Sequence, residues 1–312
     1  MNPAFSVIVF TTVAGLAQGL VVALALAALG GVPLQQPQFA PVMLGAALLL
    51  LLVGLGASFL HLGRPERAWR AAMMWRTSWL SREVIVLPAL IGTLGLWWLG
   101  LRADSAGVWV NTLLPLAVLA LSALLWWCTA MIYACIRFIQ EWAHPLTLVN
   151  FTLAGLSSGF LLAAAAAAVF EEAGLARVIG PAALAATLLA GALRLAALQR
   201  NAALRPVSTL QSATGIQAPQ LRQMSMGMSA GAFNTREFFH RATQAGLRRI
   251  RYASLGLGFL LPALLAAWGL NAGGVWPWVA AVLVQVPGLM ADRWLFFAQA
   301  RHPQNLYYQV VS

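Results

Sequence analysis

Apolar residues gather into eight runs of about 20 residues, at about 5–29, 39–61, 83–101, 111–136, 147–170, 178–199, 252–270 and 276–299. Each is long enough to cross a bilayer core of about 30 Å as a helix. The pattern predicts an all-α integral membrane protein, with eight transmembrane helices in an antiparallel bundle and both termini on one side. The even count permits two four-helix halves, although no internal repeat is strong enough to argue from. The chain reads as one membrane domain, 1–312, with two polar connections of note. One is 62–82, and the other is 200–251, too long for a simple connector.

Composition agrees: 61% of residues are hydrophobic and 9% charged, against roughly a quarter charged in soluble domains. All 19 basic residues are Arg, and the net charge is +11. The connection 62–82 holds Arg64, Arg67, Arg70, Arg76 and Arg82, and the 200–251 segment is similarly basic. The opposite side has little beyond Arg102 and Arg177. In a membrane protein this asymmetry marks the cytoplasmic face and its anionic lipids rather than nucleic acid. The first run has no basic stretch ahead of it and reads as a span rather than a cleaved leader.

Several chemistries are disfavoured. Cys128 and Cys135 lie seven apart in one run, so they are badly placed to pair, and no Cys/His set suits a metal or iron–sulfur cluster. His61, His144, His240 and His302 all map to the basic face, which argues against haem held at mid-span. No carboxylate sits at a bilayer centre, so an ion-coupled transporter fits poorly. Gln18, deep in the first run, reads as an interhelical hydrogen-bonder.

Surface chemistry remains. His61 ends the second run and Glu83 begins the third, so a short hairpin brings them together. Such a pair can exchange the protons that accompany quinone chemistry. Equally, His61 can cap its helix and Glu83 can answer a helix N-terminus. Tyr133 and Arg137, four apart at the end of the fourth run, share a helix face if the helix continues, and a Tyr hydroxyl can reach a quinone carbonyl. In the long connection, Met226 belongs to an alternating Met cluster without His or Cys, which disfavours copper. With Arg236, Phe238 and Phe239 it reads as a protein-docking surface.

The stretch "LHLGRPERAWRAAMMWRTSWLSREV" resembles the region after the second span in the DmsC family, anchor subunits of DMSO-reductase-type enzymes, and more loosely the NrfD-type subunits. The likeness rests on His61-Leu62-Gly63, Pro65, Arg67-Ala68, and Leu80, Ser81 and Glu83. "MIYACIRFIQEWAHPLT", "FNTREFFH" and "RHPQNLYYQ" resemble the SoeC-type branch, anchors of cytoplasmic sulfite dehydrogenases. The resemblance implies a bacterial inner-membrane anchor with a quinone site, ubiquinone or menaquinone, and no haem. Its partners would be a four-cluster iron–sulfur subunit and a molybdopterin catalytic subunit. It implies quinone binding at His61 and Glu83, with Arg64, Arg67 and Arg76 holding partner carboxylates, quinone or lipid headgroups. Anchors of DMSO, polysulfide or tetrathionate reductases, a purely structural anchor and a transporter are the alternatives.

Overall fold

The computed structural model describes residues 1–2, 4–60, 62–103, 107–225, 239–240 and 242–307. Among them are eight helices long and apolar enough to cross a membrane: α1 Phe5–Leu29, α2 Phe39–Phe59, α3 Trp79–Arg102, α4 Trp109–Ala134, α5 Pro145–Val169, α6 Ala173–Ala202, α7 Gln244–Ala272 and α8 Trp276–Ala298. The chain is therefore a multi-pass membrane protein, and no strand occurs among the described residues. The largest departure from the sequence reading is at α7. Thr243 caps this helix by accepting the Gly246 N–H at 3.1 Å. Arg248, Arg249 and Arg251 thus belong to its first turns and not to the connection.

The eight helices form two four-helix rings. In the first, α1 packs on α2, α2 on α3, α3 on α4, and α4 on α1; in the second, α5 to α8 repeat the circuit. The rings join where α1 meets α5, flanked by α1 against α8 and α4 against α5. Exchanging the two halves maps these flanking contacts onto each other. The two halves thus share one contact circuit and meet at the α1–α5 crossing.

Small residues make that crossing possible. Ala14-Gly15-Leu16-Ala17-Gln18-Gly19 on α1 is matched by Ala154-Gly155-Leu156-Ser157-Ser158-Gly159 on α5. A methyl at Gly19 would overlap the Gly155 carbonyl and Gly159, and one at Gly159 would overlap the backbone of Gly19 and Leu20. This is the glycine-paired close approach by which membrane helices gain van der Waals contact without a hydrophobic driving force. The two segments share the pattern Ala-Gly-Leu-x-x-Gly. Leu- and Trp-rich surfaces face outward instead, with Leu49, Leu96, Trp127, Leu189, Leu264 and Leu283 exposed.

Polar groups add cross-links. Gln285 of α8 donates to Ser157 Oγ of α5 at 2.7 Å and to the Gly258 carbonyl of α7 at 3.2 Å. Gln18 does not bridge helices as expected: its amide donates to the Ala14 carbonyl of its own helix at 3.1 Å. At the end opposite the arginines, buried Glu172 accepts the Gln35 and Gln36 N–H groups, both at 2.7 Å. This carboxylate clamps the α1–α2 turn of one half to the start of α6 in the other.

Candidate functional site

At the arginine-rich end, the first ring encloses a cavity of about 360 Å³, a size suited to a small organic ligand. Its wall is mostly apolar, with Val7 and Phe10 from α1, Leu55 and Phe59 from α2, and Leu87 and Pro88 from α3. Leu62 and Trp69 of the 62–82 connection close one side. Glu83 and Tyr133 supply polar groups to this lining.

Local sequence decides where Glu83 points. Ser78 caps α3, its Oγ accepting the Ser81 N–H at 3.3 Å, so the helix starts at Trp79 and not at residue 83. Glu83 therefore sits a full turn inside α3, beyond the positions where a side chain answers unpaired N-terminal N–H groups. It is 5% exposed. Thr129 of α4 donates its hydroxyl to Glu83 Oε1. No cation among the described residues pairs with Glu83. A carboxyl so placed can hold or release a proton at the wall of an apolar chamber.

Tyr133 stands where the two halves meet. It stacks on Phe151 of α5 at 5.8 Å and meets Trp142, Phe296 and Phe297 edge-on at 5.2, 5.3 and 5.4 Å. Arg293 lies over Phe151, its guanidinium carbon 3.8 Å from the ring centroid. The shared face of Tyr133 and Arg137 is not realised. Helix α4 ends at Ala134 and the chain tightens, with the Ile136 N–H bonded to the Tyr133 carbonyl at 3.1 Å, so that Ile139 and Trp142 can bury between the halves. Arg137 is left exposed on that turn.

Arg64, Arg67 and Arg76 are also exposed and stand outside the cavity wall. They belong to, or flank, a 3-10 segment, Pro65–Met74, which buries none of its residues. Trp69, Met73, Met74 and Trp75 are all more than half exposed there. Arg70 covers Trp69 and Arg76 covers Trp75, each at 5.4 Å. The residue that pins this segment is Arg82, which the sequence reading had not singled out. Its guanidinium donates to the Trp75 and Arg76 carbonyls at 2.8 and 2.9 Å and packs over Trp79 at 4.0 Å. Thr129 was likewise missed, although it lies one turn before Tyr133 on the same helix. His61, Met226, Arg236 and Phe238 lie outside the described residues, and Phe239 lines a different cavity.

The described histidines cap turns at this end. Nδ1 of His144, His240 and His302 accepts the N–H of Leu146, Ala242 and Gln304, at 3.2, 3.0 and 3.2 Å. Burial holds each imidazole below the ordinary histidine range, and the Arg200 charge adds to this at His144. The neutral ring is the form that accepts these bonds.

In the second half, Arg194 of α6 and Asp292 of α8 form a buried ion pair at 2.5 Å. Asp292 is thereby held on Arg194, outside the lining of the first cavity. Breaking a buried pair from one side leaves an uncompensated charge. Arg194→Met should therefore cost about 3–5 kcal/mol, while Arg194→Met combined with Asp292→Leu should recover most of that loss. Thermal unfolding of the two variants in detergent checks this, and equal losses would contradict it.

Known proteins share this sequence pattern. Residues 1–230 match the family described as DMSO reductase anchor subunit (DmsC). A sulfite dehydrogenase subunit of Allochromatium vinosum is 49% identical over 326 aligned positions, covering 100% of both chains. The anaerobic dimethyl sulfoxide reductase chain YnfH of Escherichia coli is 33% identical over 123 positions, 39% of this chain and 43% of that one.

Proposed function

The chain belongs to the DMSO reductase anchor subunit (DmsC) family, and from that premise we propose that it is the quinone-reacting anchor of a complex that oxidises sulfite and reduces quinone. An anchor of this family implies molybdopterin and iron–sulfur partner subunits, and we assign four clusters to the latter. Full-length similarity to a sulfite dehydrogenase subunit favours sulfite over the other sulfur substrates. The asymmetric arginines favour a cytoplasmic position for the cavity and both termini in a bacterial inner membrane.

The observation that carries the reading is the apolar cavity with a buried carboxyl on its wall that pairs with no cation among the described residues. Quinone is the substrate here: with two electrons from the partner's clusters and two protons it becomes quinol. The chain's own residues receive its ring, exclude water and supply the protons. Glu83 delivers a proton at the wall, Thr129 orients that carboxyl, and the Tyr133 hydroxyl donates to a quinone carbonyl. His61, next to Leu62 of the wall, exchanges protons with the cytoplasm. With no further carboxyl inside the spans of the first half, protons enter and leave on that side alone, and the complex does not pump. The exposed Trp69, Met73, Met74 and Trp75, flanked by arginines, suit docking of the cluster-bearing partner.

The test is the assembled complex carrying His61→Ala, compared with wild type at equal amounts of every subunit. Sulfite-dependent reduction of a soluble dye should persist, whereas reduction of a quinone analogue should fall by about 10²-fold or more. Persistence of both activities would remove His61 from the site and leave a purely structural anchor as the better reading.

A further inference from the structure

A second cavity lies in the other ring, and the quinone reading makes no demand on it. It measures about 420 Å³ at the arginine-rich end and is walled by the ends of α6 and α8, the start of α7 and the segment after α8. Each cavity is walled by one helical face, Leu80, Glu83, Val84 and Leu87 of α3 in the first and Gln244, Leu247, Arg248 and Arg251 of α7 in the second.

The two chambers have opposite chemistry. The first has a carboxyl among apolar neighbours, whereas the second has the guanidinium groups of Arg248 and Arg251 on its α7 wall. No carboxylate among the described residues lies within ion-pair distance of Arg248 or Arg251. Arg301 brings a third guanidinium, loosely matched at 3.9 Å by Glu141, the single carboxylate in the lining. The amides of Asn201 and Gln244 add neutral donors, and Leu198, Leu247 and Leu295 supply apolar wall on the side of the spans.

We propose that this second cavity binds the phosphate of an anionic ligand, a phospholipid headgroup or free phosphate, through Arg248 and Arg251. Two guanidinium forks one helical turn apart suit phosphate oxygens, and a basic pocket between spans is where a lipid headgroup can enter from the bilayer. Cations gathered without matching carboxylates repel one another until an anion arrives.

The test uses the full chain with its partner subunits, delipidated in neutral detergent. Its thermal midpoint is followed during addition of phosphatidylglycerol, phosphatidylcholine or inorganic phosphate, in wild type and in Arg248→Gln/Arg251→Gln. Phosphatidylglycerol, but not phosphatidylcholine, should raise the wild-type midpoint by several degrees, and the variant should need about tenfold more for the same shift. The variant should keep wild-type helical content and sulfite-to-dye activity. If inorganic phosphate reproduces the shift, free phosphate is the source and the proposal stands. Equal responses in wild type and variant, a shift from neither phosphatidylglycerol nor inorganic phosphate beyond that of phosphatidylcholine, or a variant that sheds its partners while keeping its ligand response would each overturn it. If the double variant does not fold, the two single variants are read by the same criteria.

Discussion

Glu83→Gln should lower quinone reduction by the assembled complex about 10²- to 10⁴-fold, the range by which a positioned proton donor or acceptor contributes. Sulfite-dependent dye reduction, which bypasses the cavity, should be unchanged. Glutamine keeps the volume of Glu83, and its amide oxygen can still accept the Thr129 hydroxyl, so the cavity wall and the α3–α4 contact survive. What disappears is the exchangeable proton of the carboxyl. Thr129→Val offers the complement: the carboxyl remains but loses its orienting donor, and a smaller fall, chiefly in kcat, is expected. Unchanged quinone reduction in Glu83→Gln, measured beside intact dye activity, would strip Glu83 of its role and leave the cavity without proton chemistry.

Gly159→Leu should largely abolish recovery of folded protein. The smallest side chain at this position already overlaps backbone atoms of Gly19 and Leu20, which cannot rotate away as a flexible side chain would. The helices would have to separate along the seam that holds the two rings together. Overpacking ordinarily costs about 1–3 kcal/mol, and this case should lie at or above the upper end because backbone is the obstacle. Gly159→Ala should show the same effect in milder form, as a lowered thermal midpoint in detergent. Gly56→Ala and Gly92→Ala are the controls: nothing lies within 4 Å of a methyl at either position. Alanine there should be neutral or slightly stabilising, given its higher helix propensity. If Gly159→Ala behaves like the controls, the α1–α5 crossing is not the seam described above.

The membrane character, the helix count and the approximate span limits were legible in hydropathy alone, as was the gathering of arginines and histidines on one face. Glu83 was legible as a candidate, but its setting was not. Ser78 starts α3 a turn earlier than apolarity suggests, and that turn converts a helix-end carboxylate into a buried one facing a cavity. Tyr133 was placed correctly at the end of α4, whereas its supposed neighbour Arg137 lies beyond a chain reversal that hydropathy does not register. The pairing of Arg194 with Asp292 was out of reach, since residues so distant in sequence meet only when α6 and α8 are rotated toward each other. The repeated Ala-Gly-Leu-x-x-Gly segments were visible as letters, yet too short to argue from until their contact showed what they join.

The sequence by itself determined that this chain crosses a membrane eight times and gathers most of its arginines at one end. Length and apolarity suffice for that, because lipid tolerates a backbone segment only as a self-satisfied helix. The tertiary structure decided which polar groups share a chamber, and that the two chambers differ in charge character. Those outcomes depend on helix rotation and closeness, which are governed at a few glycines and caps, where averaging over about 20 residues leaves no trace.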